Sequence, residues 1–276
     1  VCPSVLGQSF PSECMGLRMT PGGAPPEILV VSGFRRYDRE IVPEKYDSVN
    51  GWSSRMWPWL TNNFHYVARH GRAISGAGYY FESASNERLI STEILPGDYD
   101  ALDWILGRES TNEETFDSSE QPIVSNYLQS GGSMFISAER LLWDLEISTV
   151  ASSADTSFLH NVFHVSEGND DGSNTDKADP VAGSIFNGIS QISFEKDFDN
   201  GYYQTEYPDA FVLLDSSESI LSYADTGLSA GMKYEGSSEK LVILGFPFEM
   251  IHGENARTNV MAASLDFLTG PIETPT

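Results

Sequence analysis

Along the first half of the chain, short apolar runs alternate with stretches in which apolar residues recur at helical spacing. Most of the apolar runs end at a glycine. Residues 27–32 (EILVVS) and 133–137 (SMFIS) are runs of the kind that form strands buried on both faces. Between residues 62 and 76 the apolar positions recur mostly at helical spacing, and the pattern stops at Gly76. This rhythm predicts a mostly parallel sheet with helices on both faces.

The same reading predicts further elements in this half of the chain. They are strands at 79–81 and 99–106, and helices at 86–94, 118–130 and 138–145. Ser118 and Gln121 have the spacing of a capping box, which predicts the start of the third helix.

After about residue 165 the pattern changes. Residues 168–180 are polar and acidic and are predicted to form a loop. Short strands and a closing helix are predicted beyond it, at 191–194, 211–214, 220–223, 230–234, 241–246 and 255–268. They are expected to add antiparallel strands to the sheet near its C-terminal end.

The two ends of the chain differ in composition from the middle. Residues 21–26 and 271–276 are rich in residues that break helices and strands, so both are predicted to be linkers around one domain at 27–270. The chain begins with Val1 rather than methionine. Together these features indicate a fragment or a processed product of a longer protein.

Residues 1–20 are predicted to form a hairpin that brings Cys2 and Cys14 together. The two cysteines have neither the spacing nor the histidine neighbours of a zinc site. A disulfide is therefore expected, and two unpaired thiols are the alternative.

The charge balance excludes several classes of partner. The 276 residues include 40 Asp and Glu against 16 Lys and Arg, a formal net charge of −24, while 40% of the residues are hydrophobic. That apolar fraction is enough for a packed core. The excess of acid argues against nucleic acid and against anionic membrane surfaces as partners. Because no apolar stretch reaches about 18 residues, membrane insertion is not expected.

Ten segments carry residues typical of one family. They are HGRA at 70–73, GY at 78–79, SASNE at 83–87, YDALDWILGREST at 99–111, ETF at 114–116, EQ at 120–121, GGSMFIS at 131–137, WDL at 143–145, YPD at 207–209 and GFPFE at 245–249. Together, over roughly 26–270, they resemble the class I glutamine amidotransferase-like domain of secreted multidomain bacterial proteins. Those proteins are often labelled xanthan lyase, golvesin-containing or N-acetylmuramoyl-alanine amidase-like, and often carry fibronectin type III modules. Residues 7–13 (GQSFPSE) resemble the end of such a module.

The resemblance implies a flavodoxin-like α/β fold and an extracellular or cell-surface location. True amidotransferases of this fold use a cysteine on a sharp turn after a central strand, with a His-Pro-Glu motif after a later one. Here the turn follows Ile136 without a cysteine, and residues 246–249 read FPFE. Glutamine hydrolysis is therefore not expected. We expect a non-catalytic structural or interaction module that needs no cofactor and contacts neighbouring domains or subunits of a surface assembly.

Two alternatives stay open, a hydrolase or lyase that acts on cell-wall or extracellular polysaccharide, and a glycan-binding module. For an enzyme, the candidates are polar residues at strand ends or helix ends: His70, Glu87, Glu109, Ser137, Glu139 and Glu249. Capping and packing are the ordinary roles of such residues. For glycan binding, the candidates are Tyr37, Trp52, Trp57 and Trp59, which otherwise pack under a long loop.

Two acidic stretches suggest calcium as an optional ligand. In the first stretch, oxygen-bearing side chains lie close together around a glycine: Asp170, Asp171, Asn174 and Asp176. Residues 197–201 (DFDNG) have a similar pattern of oxygen-bearing side chains beside a glycine. Neither stretch has the glutamate at position twelve of an EF-hand. A solvated acidic loop is the alternative.

The cysteine pair gives a direct test. If Cys2 and Cys14 form a disulfide, the intact mass of the unreduced protein is lower by two hydrogens, and neither thiol reacts with an alkylating reagent until reductant is added. Alkylation of both thiols without reductant would rule the disulfide out.

Overall fold

The computed structural model describes residues 16–23, 25–34, 44–54, 65–108, 115–169, 171–195 and 205–270. The strands are β1 (Ile28–Ser32), β2 (Glu44–Asp47), β3 (Gly51–Ser54), β4 (Phe81–Ser85), β5 (Ala101–Arg108), β6 (Ser133–Glu139), β7 (Val165–Asn169), β8 (Lys177–Pro180), β9 (Ile192–Ser193), β10 (Ala210–Leu213), β11 (Glu218–Tyr223), β12 (Ser229–Glu235) and β13 (Lys240–Leu244). The α-helices are α1 (Tyr66–Gly76), α2 (Asn86–Ile90), α3 (Gln121–Gln129), α4 (Ser153–Val162) and α5 (Glu254–Thr269). The predicted hairpin with Cys2 and Cys14, and the linker at 271–276, lie outside these ranges.

Eleven of these strands form one sheet in the order β4-β1-β5-β6-β13-β12-β11-β8-β9, with β10 joined to β12 and β7. The five strands from β4 to β13 pair in parallel. From β12 onward every pairing is antiparallel. The predicted fold class, a mostly parallel α/β sheet with antiparallel additions from the C-terminal half, is confirmed. The strands β2 and β3 form a separate hairpin.

Helices cover both faces of the parallel part because its strands are apolar on both sides. All five residues of β1 are buried. On one face, α1 and α5 pack against Val30, Phe135 and Val242. On the other face, Leu29, Met134 and Ile243 belong to the cluster that holds α3 and α4. Among the described residues, no helix is both long and apolar enough to span a bilayer.

Strand β6 runs two residues further than predicted. The expected end was residue 137, but β6 continues to Glu139. The cause lies in the neighbouring strand, because β5 keeps pairing after an irregularity and sets Gly107 opposite Ala138. Pairing with a neighbour therefore fixes where this strand ends, and local sequence does not.

Three other predictions of local structure need correction. The strand expected at 79–81 lies at 81–85, and the helix expected to reach 94 ends at Ile90. The capping box at the start of α3 is formed by Asp117 and Glu120, each accepting from the other's backbone N–H at 3.1 and 2.9 Å, and not by Ser118.

The stretch around residue 165 contains more regular structure than its sequence suggests. Helix α4 was not predicted, although Ser152 and Asp155 form a complete capping box at its start. The acidic stretch at 168–180, expected to be a loop, holds the end of β7 and the whole of β8. These elements are not evident from the sequence because only one face of each is buried, so most of their residues are polar.

Close packing between α1 and β4 makes one glycine of α1 sensitive to substitution. A Cβ on Gly71 would lie 2.2 Å from the ring of Phe81. Alanine favours a helix interior by about 1 kcal/mol over glycine, but overpacking of a filled core costs about 1–3 kcal/mol. Because an approach of 2.2 Å places the overpacking cost in the upper part of that range, we expect Gly71→Ala to lower the free energy of unfolding in urea by roughly 1–2 kcal/mol.

A matched control is Gly97→Ala, because nothing lies within 4 Å of a Cβ there. This variant should unfold at the wild-type urea concentration. If Phe81→Leu in the Gly71→Ala background recovers part of the loss, the clash is its cause. A Gly71→Ala protein as stable as the wild type would contradict the packing described here.

Candidate functional site

One histidine lies at the centre of a buried cluster of charged residues at the sheet. His70, on the inner face of α1, contacts Asp103 of β5 and Glu249 of the turn after β13. Its Nδ1 is 2.8 Å from Asp103 Oδ2 and its Nε2 is 3.3 Å from Glu249 Oε2. All three side chains are fully buried. The cluster therefore joins three segments that are distant in the sequence.

The surroundings of His70 decide its charge. Burial lowers the pKa of a histidine, but the charge and hydrogen bond of Asp103, with those of Glu249, outweigh that effect here. The pKa of His70 is raised from 6.5 to about 9. At neutral pH the ring is therefore an imidazolium that donates from Nδ1 to Asp103 and from Nε2 to Glu249. A protonated, sealed imidazole cannot act as a general base.

Aromatic side chains complete the enclosure. The ring of Phe248 lies 4.6 Å from the ring of His70, and Phe135 of β6 meets Phe248 edge to face at 5.6 Å. The amidotransferase resemblance would put a histidine at Phe248 or one of its neighbours, and residues 246–248 are Phe, Pro and Phe. An apolar ring there packs against His70 and supplies no group for proton transfer.

The sharp turn after β6 is built around an arginine. Arg140 has a φ of 65°, in the left-handed region, and links β6 directly to a helical turn. This turn is π-helical over Trp143–Ile147. We call residues 139–141 the elbow. Positive φ at a residue other than glycine and π-helical turns are both found frequently at functional sites.

Buried carboxylates fix the backbone on both sides of the elbow. Glu139 accepts hydrogen bonds from the backbone N–H groups of Glu206 and Tyr207, at 2.8 and 3.4 Å. The N–H of Leu141 donates to Asp209 at 2.8 Å. The segment 205–209 therefore holds the elbow in place from outside the sheet.

The candidate residues from the sequence do not form one site. His70 and Glu249 meet, whereas Glu87 is exposed on α2 and Glu139 binds backbone at the elbow. Ser137 lies inside β6 rather than at its end, is fully buried, and its Oγ has no hydrogen-bond partner in the described part of the chain. Glu109 lies outside the described residues.

Sequence reasoning missed two residues of this region. Asp103 is a charged residue within the apolar run of β5, and a buried charge requires a partner, so its position was a usable signal. Arg140 gave no such signal, because its importance comes from the backbone angle at the turn.

The predicted calcium loop is organised by another residue. Asp225 accepts hydrogen bonds from Ser173 Oγ and from the backbone N–H of Asn174, at 2.7 and 2.8 Å. Within the described ranges, no three Asp, Glu, His or Cys side chains are grouped as a metal site. Asp170 and residues 197–201 lie outside these ranges, so the calcium site stays a prediction.

One residue of the predicted aromatic group is exposed. Trp52 of β3 is 68% exposed and meets Tyr46 of β2, itself 61% exposed, edge to face at 5.6 Å. Packing under a loop therefore does not describe Trp52. Tyr37, Trp57 and Trp59 lie outside the described residues.

Comparison with known proteins finds similarity at the level of fold. No family model and no curated protein matches the sequence. A cytoplasmic protein from Salmonella typhimurium superposes with a TM-score of 0.55 at 13% identity, covering 87% of this chain and 98% of that one. A β-galactosidase from the Antarctic haloarchaeon Halorubrum lacusprofundi gives 0.51 at 13% identity, over 88% of this chain and 30% of that one. A glutamine amidotransferase from Thermotoga maritima gives 0.48 at 10% identity, over 88% and 98%.

At these identities the likeness shows the fold alone. The α/β fold predicted from the resemblance, with a parallel core and antiparallel additions, is shared with the two structures that superpose above 0.5. The finer assignment to secreted multidomain proteins stays a prediction.

The raised pKa of His70 makes stability depend on pH. Because the folded-state pKa lies above the unfolded value of 6.5, the stabilisation is complete below about pH 6.5 and is lost as the pH rises through about 9. We expect the free energy of unfolding to fall across this window by up to roughly 3 kcal/mol. Urea unfolding at pH 6, 7.5 and 9 measures the change.

His70→Gln is the control, because an amide of similar reach carries no charge in either state. The variant should be less stable at pH 6 and should lack the His70 part of the pH dependence. Asp103→Asn should lower the pKa of His70, which an NMR titration of the ring protons would show directly. Identical pH dependence in wild type and His70→Gln would contradict the assignment.

Proposed function

We propose that this domain is a non-catalytic structural or interaction module of a larger secreted or cell-surface protein. The observation that carries the proposal is the elbow, where the fold exposes a nucleophile in amidotransferases and where this chain has Arg140. A guanidinium is always charged and is not a nucleophile.

The rest of the catalytic apparatus is also unsuited to acyl transfer. That reaction needs a nucleophile within hydrogen-bond reach of a neutral base. Ser137 is buried within β6, and His70 is held as a cation by Asp103 and Glu249. Neither residue is therefore placed to start acyl transfer.

A structural role agrees with the other properties of the chain. The match to 30% of the β-galactosidase shows that this fold also occurs as one part of a longer polypeptide. The formal charge of −24 disfavours nucleic acid and anionic membranes and leaves proteins or neutral surfaces as partners. The extracellular location rests on the resemblance to secreted proteins.

Glycan binding is a second candidate, favoured by one observation. Tyr46 and Trp52 form an exposed aromatic pair on a separate hairpin, and such pairs offer an apolar face to sugar rings. The polysaccharide hydrolase or lyase has less support, because the buried carboxylates Glu139 and Glu249 already bind groups of the protein.

The test is turnover. The purified domain should hydrolyse no p-nitrophenyl ester, amide or glutamine above the buffer rate between pH 5 and 9, because it presents no activated nucleophile. Ser137→Ala serves as the control, since it removes the hydroxyl with little change in volume. Turnover by the wild type that disappears in Ser137→Ala would overturn the proposal and establish a serine hydrolase.

A further inference from the structure

The guanidinium of Arg140 lies beside two aromatic rings at the carboxyl end of the parallel sheet. Its Cζ is 3.8 Å from the centre of the Tyr207 ring and 5.6 Å from that of Trp143. Stacking of this kind orients a guanidinium and leaves its N–H donors at the edge of the plane. Tyr207 is 37% exposed and Arg140 is half-buried, so solvent reaches this stack.

Arg140 has no acidic partner in the described part of the chain, although the sequence has 40 acidic residues for 16 basic ones. The nearest carboxylates in the sequence bind backbone instead. Glu139 accepts from Glu206 and Tyr207, and Asp144 Oδ2 accepts from the N–H of Thr115 at 2.5 Å. An arginine oriented by aromatic rings and left without a carboxylate retains its capacity for a bidentate hydrogen bond.

The backbone at Arg140 adds independent support. A left-handed residue other than glycine is strained, and the strain persists only where the surroundings enforce it. Glycine would fit the same angle without strain. A structural turn alone does not require arginine at this position. The carboxyl ends of parallel strands are also where α/β proteins form ligand sites.

We propose that Arg140, Tyr207 and Trp143 bind a small organic carboxylate that has a flat apolar face. The guanidinium would hold the carboxylate by two parallel hydrogen bonds, and an aromatic ring would contact the body of the ligand. The acidity of the chain favours a ligand with a single negative charge over a polyanion. The inference adds a ligand to the proposed binding role and does not depend on the absence of catalysis.

The experiment is a calorimetric titration of the whole chain with two pairs of probes. Glucuronate and glucose share a sugar ring, and benzoate and benzyl alcohol share an aromatic ring, so each pair differs in the carboxylate. We expect at least one of the two acids to bind, and its neutral counterpart to bind at least tenfold more weakly. Binding of glucuronate alone identifies a sugar acid, and binding of benzoate alone identifies an aromatic acid. Acetate should bind more weakly than either acid that binds.

Arg140→Gly removes the guanidinium and relieves the strained angle, so the melting temperature should stay within a few degrees while acid binding weakens about tenfold or more. Arg140→Lys keeps the positive charge but loses the planar guanidinium that makes two parallel hydrogen bonds. It should weaken binding less than Arg140→Gly does. Arg88→Gln is the charge-matched control on α2, at the same edge of the sheet, and should bind as the wild type does.

Several results would overturn the inference. They are no binding of either acid, equal binding of an acid and its neutral counterpart, equal binding of acetate, and undiminished binding by a folded Arg140→Gly. None of them bears on the turnover assay, so failure here is separable from failure of the proposed function.

Discussion

The bridge from Asp103 through His70 to Glu249 is the interaction on which the centre of this domain depends. Burial of three ionised groups costs several kcal/mol each unless every charge has a partner. Here one imidazolium stands between two carboxylates, and its two N–H groups have one acceptor each. Loss of the histidine would remove the partner that the buried carboxylates of Asp103 and Glu249 share. The middle of α1, strand β5 and the turn after β13 are therefore held together by electrostatics as well as by apolar packing.

The same bridge engages both ring nitrogens of His70. Catalytic histidines need a pKa near the working pH and access to a substrate. This ring has neither, because Phe248 covers it and Asp103 raises its pKa to about 9. The elbow differs from the His70 bridge because its central side chain is partly exposed. Its backbone is strained, but Glu139 and Asp209 hold it from both sides and Arg140 faces solvent in part. The fold thus buries the His70 ring and leaves the Arg140 guanidinium partly exposed.

The sequence predicts an element correctly where the element is buried on both faces, because such an element appears as an uninterrupted run of apolar residues. The runs that became β1 and β13 and the helix α5 were located within a residue or two. The prediction fails where pairing with a neighbouring strand decides the end of an element. The end of β6 depends on pairing with β5, so Ser137 was assigned to a turn that begins three residues later, at Arg140. His70 and Glu249 were both candidates, but no local pattern shows that they meet, or that Asp103 stands between β1 and β6 to receive the histidine.

The position of β13 in the sheet has a consequence for how the chain folds. β13 lies between β6 and β12 and joins the parallel half of the sheet to the antiparallel half. Its Leu241 pairs with Met134 of β6, which is made roughly a hundred residues earlier, and such distant pairings form slowly. During synthesis, β6 has an open edge until β13 emerges, and the apolar face later covered by α5 is open as well. A nascent chain of this protein therefore carries an unpaired strand edge while roughly a hundred further residues are made, and such an edge is prone to pair with other chains.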